Sequence, residues 1–144
     1  MAILSTTLCY PNADSPAQGI FVQRRLTEIA RLMPLSVVAP VPWFPILRPA
    51  PIQAYDPSDP VPTLRPRMFY LPGIAKSLDA RFYANALRAG LAWATAQGSI
   101  ELIDAHFEWP DGVGAWMVAR ERKLPFVCTL RGKLVSQIAS RSKR

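Results

Sequence analysis

The chain has 144 residues, 50% of them hydrophobic and 19% charged, which is enough for one domain with a sizeable core. This balance excludes a disordered polypeptide and favours a folded globular domain. Seventeen Lys and Arg residues against ten Asp and Glu residues give a net charge of +7. That charge favours an acidic partner, such as nucleotide phosphates, an anionic lipid or a nucleic acid.

Neither membrane insertion nor a disulfide framework is indicated by the sequence. No apolar run approaches the roughly 20 residues of a membrane-spanning helix, and no basic segment precedes the first apolar run. Cys9 and Cys128 each lie in an apolar, strand-like run, so we interpret them as small buried hydrophobic side chains. These features predict a cytoplasmic protein.

The first part of the chain has the pattern of a β-α-β unit. An apolar strand over residues 2–9 leads into a turn-rich loop over 10–19, and a helical apolar stripe follows over 20–33. A second short strand is predicted over 35–39. Gly19, at the helix start, could let a phosphate approach the free backbone N–H groups, although an isolated glycine is more often an ordinary turn residue.

A proline-rich excursion follows over residues 40–66. Its prolines are too frequent for a helix and leave too few backbone donors for a central strand, so we expect a surface loop of largely polyproline II character. Trp43, Phe44 and Tyr55 leave open the alternative that this loop has a binding role beside a ligand crevice.

The second half alternates strands and helices. We predict a strand over residues 67–71, a helix capped by Ser77 or Asp79 that runs to about residue 97, and a buried strand from Ile100. The run Trp-Pro-Asp-Gly at 109–112 breaks that strand, and Asp111 suits the N-cap of a helix over 113–123. A last strand is predicted over 125–130, with Arg131 beyond its end.

Ionisable residues alternate at the end of the strand that starts near Ile100. Asp104, His106 and Glu108 lie two residues apart, so on an extended backbone they project from one face. His106 is the only histidine in the chain and could exchange protons or donate a hydrogen bond near neutral pH. A structural histidine satisfied by Asp104 is the alternative. A metal site is disfavoured because the spacing resembles no dedicated zinc motif.

Five strands with intervening helices or crossovers predict a parallel sheet in the order 3-2-1-4-5. The loops after strands one, four and five would then open on the same edge, so Gly19, His106 and Arg131 should converge there. We expect His106 to face the open crevice at that edge rather than the core.

Four ordered blocks carry a family resemblance that spans nearly the whole chain. They are the motif P-N-x-x-x-P-x-x-G-I-F-V at 11–22, VVAPVPWFP at 37–45, IDAHFEWPDGVGA at 103–115 and LPFVCTLRG at 124–132. Together they resemble the N-terminal domain of a bacterial glycosyltransferase of family 4, the glycosyltransferase group 1 type. The resemblance implies an α/β fold with a Rossmann-like, doubly wound parallel sheet, which is the N-terminal half of the GT-B architecture.

The same resemblance implies roles for individual residues. Gly19 matches the loop glycine that approaches the donor phosphates or the transferred sugar, and His106 matches the histidine that faces the reaction centre. Arg131, with Asp111 and Glu108, would contact the acceptor or an anion. Relatives often carry an acidic residue soon after the Arg-Gly pair, whereas this chain continues with Lys133, which departs from the pattern.

The resemblance further implies retaining transfer of a hexosyl-type sugar, without a bound metal or cofactor, from a nucleotide-sugar substrate to a glycan, lipid-linked or other small acceptor. Residues 1–144 would form one incomplete acceptor-side domain with the donor-binding domain absent, and we expect them to be inactive alone. A peripheral contact with the inner face of the membrane stays open. The alternatives are a non-catalytic sugar- or nucleotide-binding module and a basic nucleic-acid-binding protein; no basic-aromatic pattern supports the latter, so no nucleic acid is expected.

Overall fold

A computed structural model describes residues 1–46 and 53–131. Its strands are β1 (Ile3–Thr6), β2 (Leu35–Val38), β3 (Val41–Trp43), β4 (Thr63–Leu64), β5 (Arg67–Phe69), β6 (Leu102–His106) and β7 (Phe126–Thr129). Its helices are α1 (Ile20–Ala30), α2 (Asp79–Thr95) and α3 (Val113–Arg122), with a short 3-10 turn at Lys76–Leu78 before α2 and an irregular turn at Glu108–Gly112 before α3.

Five strands form a parallel sheet in the order β4-β2-β1-β6-β7. Apolar side chains of α1, such as Val22 and Leu26, pack with Val37 in one core cluster. The other cluster joins α2 and α3 to β1 and β6, with Leu87, Val118 and Ile103 among its members. Helices therefore cover both faces, and the predicted Rossmann-like, doubly wound α/β class is confirmed.

One strand of the predicted sheet is misplaced. The strand beside β2 is β4, which lies inside the proline-rich excursion, whereas residues 67–69 form β5 and pair with β3 in a separate two-stranded ribbon. Prolines lack an N–H but keep a carbonyl, and here Pro62 accepts a hydrogen bond from Val37 and Pro66 accepts one from Val41. Proline is therefore compatible with this edge strand, and the expected polyproline II loop is wrong for these segments.

A buried ion pair ties the excursion to the first loop. The Arg65 guanidinium donates to Asp59 at 2.6 Å and to the carbonyl of Pro11 at 2.9 Å, and the Arg65 and Asp59 side chains are only 6% and 9% exposed. Both partners keep their hydrogen bonds away from solvent, so this clamp fixes the loop after β1 against the edge of the sheet.

The helix starts differ from the predicted caps. Asp79 lies in the first turn of α2, yet neither it nor Ser77 makes a capping hydrogen bond, and no side chain caps α3. In residues 1–46 and 53–131, no helix has both the length and the apolar composition needed to cross a bilayer.

Candidate functional site

An open cavity of about 610 Å³ lies where β1, β6 and β7 end, and we name it the crevice cavity. Ligand sites of this size are usually apolar with a few polar groups, and they occur at the carboxyl ends of parallel strands. Three of the residues that line it are charged, and most of the others are apolar. Its lining residues are Leu8, Cys9, Phe21, Phe107, Glu108, Trp109, Pro110, Asp111 and Arg131.

Gly19 lies where the packing of the chain leaves no room for a side chain. Its backbone is left-handed, with φ of 69°, and a Cβ placed there would lie 2.0 Å from the carbonyl oxygen of Cys9. The absent side chain therefore lets the start of α1 pack on the chain leaving β1. Gly19 does not line the crevice cavity, but Phe21, in the first turn of α1, does. Its role toward a donor phosphate stays a prediction.

The turn after β6 brings an aromatic ring across the crevice. Phe107 has φ of 76°, a conformation that side-chain-bearing residues seldom adopt, and its carbonyl accepts hydrogen bonds from Gly112 and from the Cys128 thiol. Its ring meets Phe21 edge to face, with centroids 6.5 Å apart. The sequence pattern predicted a turn here and missed this aromatic wall.

His106 lies beneath this wall and is 0% exposed. Its Nε2 atom is 3.1 Å from both the Asp104 carboxylate and the Ser5 hydroxyl, and Ser5 also donates to Asp104 at 3.3 Å. Asp104 and His106 therefore share one face of β6, as the alternation predicted. The sequence did not predict that Ser5 would contact His106, because the two residues are 101 positions apart and no motif includes Ser5.

The other side of the His106 ring points toward the cavity wall. Its Nδ1 atom is 3.4 Å from the Arg131 guanidinium, which also lies over the rings of Phe21 and Phe107 at 4.9 Å and 5.9 Å from their centroids. The predicted convergence of Arg131 with His106 is therefore observed. The expectation that His106 faces the open crevice is wrong, because Arg131 and the Phe107 turn cover its ring.

Asp111 holds the cavity floor instead of capping α3. Its carboxylate accepts a hydrogen bond from the Leu8 backbone N–H at 2.8 Å and is 2% exposed. Burial raises the pKa of Asp111 to about 7, opposed by its bonds to Leu8 and Thr7 and aided by the negative charge of Glu108. The predicted N-cap is wrong because the carboxylate turns inward to satisfy the chain leaving β1.

Glu108 brings a second carboxylate to the cavity. One of its oxygens is buried without a hydrogen-bond partner among the described residues. Cys9 lines the same wall, and burial raises the pKa of its thiol, with Asp111 adding to the effect. Within residues 1–46 and 53–131, no three His, Cys, Asp or Glu side chains are grouped as metal ligands. The departure at Lys133 lies outside the described residues.

The arrangement combines an apolar floor, a guanidinium and a histidine at one edge of a parallel sheet. A guanidinium suits phosphate or carboxylate, and an aromatic wall suits the faces of a sugar or a base. Arg131, Asp111 and Glu108 all line the crevice cavity, as a contact with acceptor or anion requires. Whether they make that contact stays a prediction.

No family model matches the sequence. Among curated proteins, the chain is 28% identical over 159 aligned positions to TuaC of Bacillus subtilis (strain 168), described as a teichuronic acid biosynthesis glycosyltransferase. That alignment includes 99% of this chain and 39% of the relative, so the chain spans well under half the length of the relative it matches.

Solved structures show the same fold at low identity. Sucrose-phosphate synthase from Thermosynechococcus elongatus is 13% identical with a TM-score of 0.56, and the match covers 96% of this chain and 68% of that chain. The apo form of UGT2 from Phytolacca americana is 14% identical with a TM-score of 0.53, over 92% of this chain and 29% of that one. The resemblance predicted from the sequence is thereby confirmed: this chain is similar to glycosyltransferases and has a Rossmann-like α/β fold of the GT-B type.

Proposed function

We propose that this chain forms the acceptor-side wall of the catalytic cleft of a retaining glycosyltransferase that moves a hexosyl-type sugar from a nucleotide-sugar donor. The observation that carries the proposal is the crevice cavity, which places Arg131 against His106 at the carboxyl edge of the sheet. A preorganised guanidinium stabilises negative charge that develops on a leaving diphosphate, and a histidine can hydrogen-bond the transferred sugar.

We further propose that the acceptor is acidic. The name of the Bacillus subtilis relative refers to teichuronic acid, and the net charge of +7 of this chain would attract an acidic molecule. Among the described residues, Arg131 forms no ion pair with a carboxylate of this chain. It is therefore placed to pair with a carboxylate or phosphate of the acceptor or donor.

Transfer requires donor and acceptor to be held together in a closed, water-poor cleft. Positioning contributes about 7 to 11 kcal/mol to such reactions, far more than one histidine could replace. The chain matches 39% of its curated relative, and we propose that most donor-binding groups belong to the part that it does not match. We therefore expect these 144 residues alone not to catalyse sugar transfer.

The test measures nucleotide release and product mass with a panel of nucleotide sugars and acceptors. It compares the chain alone with the chain joined to the unmatched part of the Bacillus subtilis relative. We expect turnover only from the joined protein, and His106→Ala should lower its kcat per folded molecule at least about tenfold. Because His106 is buried against Asp104, the folded fraction of each variant is measured by circular dichroism. Arg31→Met, at an exposed ion pair, is the matched control.

Two results would contradict this proposal. Turnover by the 144 residues alone, lost in His106→Ala, would show that they are a complete enzyme. A joined protein that folds and still releases nucleotide equally well with Ala at position 106 would remove His106 from the mechanism.

We propose that the protein carries out this activity while bound peripherally to a membrane surface. The loops after the parallel strands β3 and β5 carry Ile46 and Ile74, which are 80% and 65% exposed, and the cations Arg67 and Lys76 accompany them. Exposed aliphatic tips with cations and aromatic rings fit an anionic lipid surface.

Sedimentation with vesicles of phosphatidylglycerol and phosphatidylcholine tests this location. We expect binding to anionic vesicles to fall several-fold in Ile74→Glu and to persist in Leu32→Glu. Leu32 is 82% exposed but lies in the turn before the amino end of β2, whereas Ile74 follows the carboxyl end of β5. Equal loss in both variants would indicate a charge effect and contradict the assignment of this surface.

A further inference from the structure

Arg131 occupies an unusual position for a cation at the mouth of a cavity. Its guanidinium lies over the rings of Phe21 and Phe107, and its one hydrogen-bond partner among the described residues is the Nδ1 atom of His106, at 3.4 Å. The Nε atom of Arg131 is buried without a partner there. The guanidinium is therefore partly buried and is not paired with any carboxylate of the described chain.

The partners of the His106 ring define its tautomer. A guanidinium has donors only, so Nδ1 accepts from Arg131 through its lone pair and carries no hydrogen. Nε2 then carries the hydrogen and donates it to the Asp104 carboxylate, 3.1 Å away, with the Ser5 hydroxyl at the same distance. This tautomer follows from the hydrogen-bond partners, and it leaves an acceptor on Nδ1 directly beneath Arg131, which lines the crevice cavity.

We propose that Arg131 is a positioning residue. In the free chain its guanidinium donates a hydrogen bond to the Nδ1 atom of His106, and this bond breaks when the guanidinium pairs with an anionic group of the ligand. Nδ1 then accepts a hydrogen bond from a ligand hydroxyl. The ligand class is a molecule that carries a hydroxyl near a phosphate or carboxylate. Its identity as a sugar substrate rests on the proposed function, whereas the exchange itself does not.

The chemistry favours this exchange. A hydrogen bond of 3.4 Å is long, and a guanidinium bonds to phosphate or carboxylate at shorter distances, often through two parallel bonds in which both partners are charged. The two aromatic rings can hold the guanidinium plane while it turns toward an anion in the cavity. Asp104 and Ser5 stay on Nε2 throughout, so the ring keeps its orientation and presents the same acceptor to the ligand.

Nitrogen-15 spectra of the imidazole ring test the proposal directly, because the chain has a single histidine and its signals need no assignment once any affinity tag is removed. In the free protein we expect a protonated Nε2 and an unprotonated, hydrogen-bonded Nδ1. Inorganic pyrophosphate should shift the Arg131 guanidinium signals and move Nδ1 toward the position of an acceptor without a donor. Arg131→Met should show that position from the start and no response to pyrophosphate.

Arg25→Met is the matched control, because Arg25 reaches Thr129 at 3.3 Å on the neighbouring strand but makes no hydrogen bond to His106. It should keep both the free spectrum and the pyrophosphate response. A hydrogen found on Nδ1 in the free protein, or a wild-type Nδ1 signal that pyrophosphate leaves unchanged, would overturn the proposal. Neither readout involves sugar transfer, so failure of the proposed function would appear separately, as absent turnover in the joined protein.

Discussion

Replacement of Asp111 by Asn tests the electrostatics of the crevice cavity quantitatively. The pKa of Asp111 is raised from its ordinary 3.8 to about 7, mainly by burial. The folded state therefore binds this proton more tightly than the unfolded state, and stability from this group is full below about pH 4 and lost as pH rises through 7. At about 1.4 kcal/mol per pKa unit, the loss amounts to about 4 kcal/mol.

Asn has the shape of Asp and keeps an oxygen for the Leu8 N–H, but it does not ionise. Urea unfolding from about pH 4 to about pH 8 should give a free energy of unfolding for Asp111→Asn that exceeds wild type by a growing margin, up to about 4 kcal/mol. Asp14→Asn, at an exposed loop position, should show no such trend. A difference between the two proteins that is independent of pH, or that shrinks as pH rises, would contradict a raised pKa for Asp111.

Three further predictions concern the frame around the site. Arg65→Met should lower the free energy of unfolding by about 3 to 5 kcal/mol in urea titrations, because it leaves the buried Asp59 carboxylate without its partner. Arg31→Met, at an exposed ion pair, should lower it by under about 1 kcal/mol, and equal losses would contradict a stabilising Arg65–Asp59 pair. Gly19→Ala should unfold or strongly destabilise the chain by circular dichroism, while Gly73→Ala, with a similar φ but open space around it, should cost only the backbone strain; similar losses would refute the close packing. Strand β7 is an edge strand among the described residues, so we expect the chain to self-associate through it. Val127→Lys, at a side chain 48% exposed, should reduce self-association in sedimentation velocity, and unchanged self-association would exclude that edge.

Local patterns were sufficient to predict most of the fold. The apolar runs that became β1, β2 and β6 are largely buried, and Val22 and Leu26 of the α1 stripe lie in the core. Strand β7 is only partly buried, and α2 buries the face that carries Tyr83, Leu87 and Leu91 instead of the predicted one. Strand β4 was missed because the prolines that flank it argue against a strand, although the carbonyl of Pro62 is free to accept a hydrogen bond from Val37 of β2.

The site was predictable in its location but not in its contacts. The topology rule brought Arg131 to His106, since both follow neighbouring parallel strands. The bond from Leu8 to Asp111 joins residues 103 apart, and no local pattern contains such a pair. The burial of His106 likewise depends on the rare backbone conformation of Phe107, which sequence periodicity does not encode.

The proposal that the crevice cavity binds an acidic acceptor is tested most directly by mapping where an acidic sugar contacts this chain. Amide spectra would be recorded during titration with cellobiuronic acid and, in parallel, with its neutral counterpart cellobiose. We expect shifts centred on Phe21, Phe107 and Arg131 with the acidic disaccharide, weaker shifts with the neutral one, and loss of the difference in Arg131→Met. Shifts confined to another surface, or equal binding of both sugars through the crevice cavity, would contradict it.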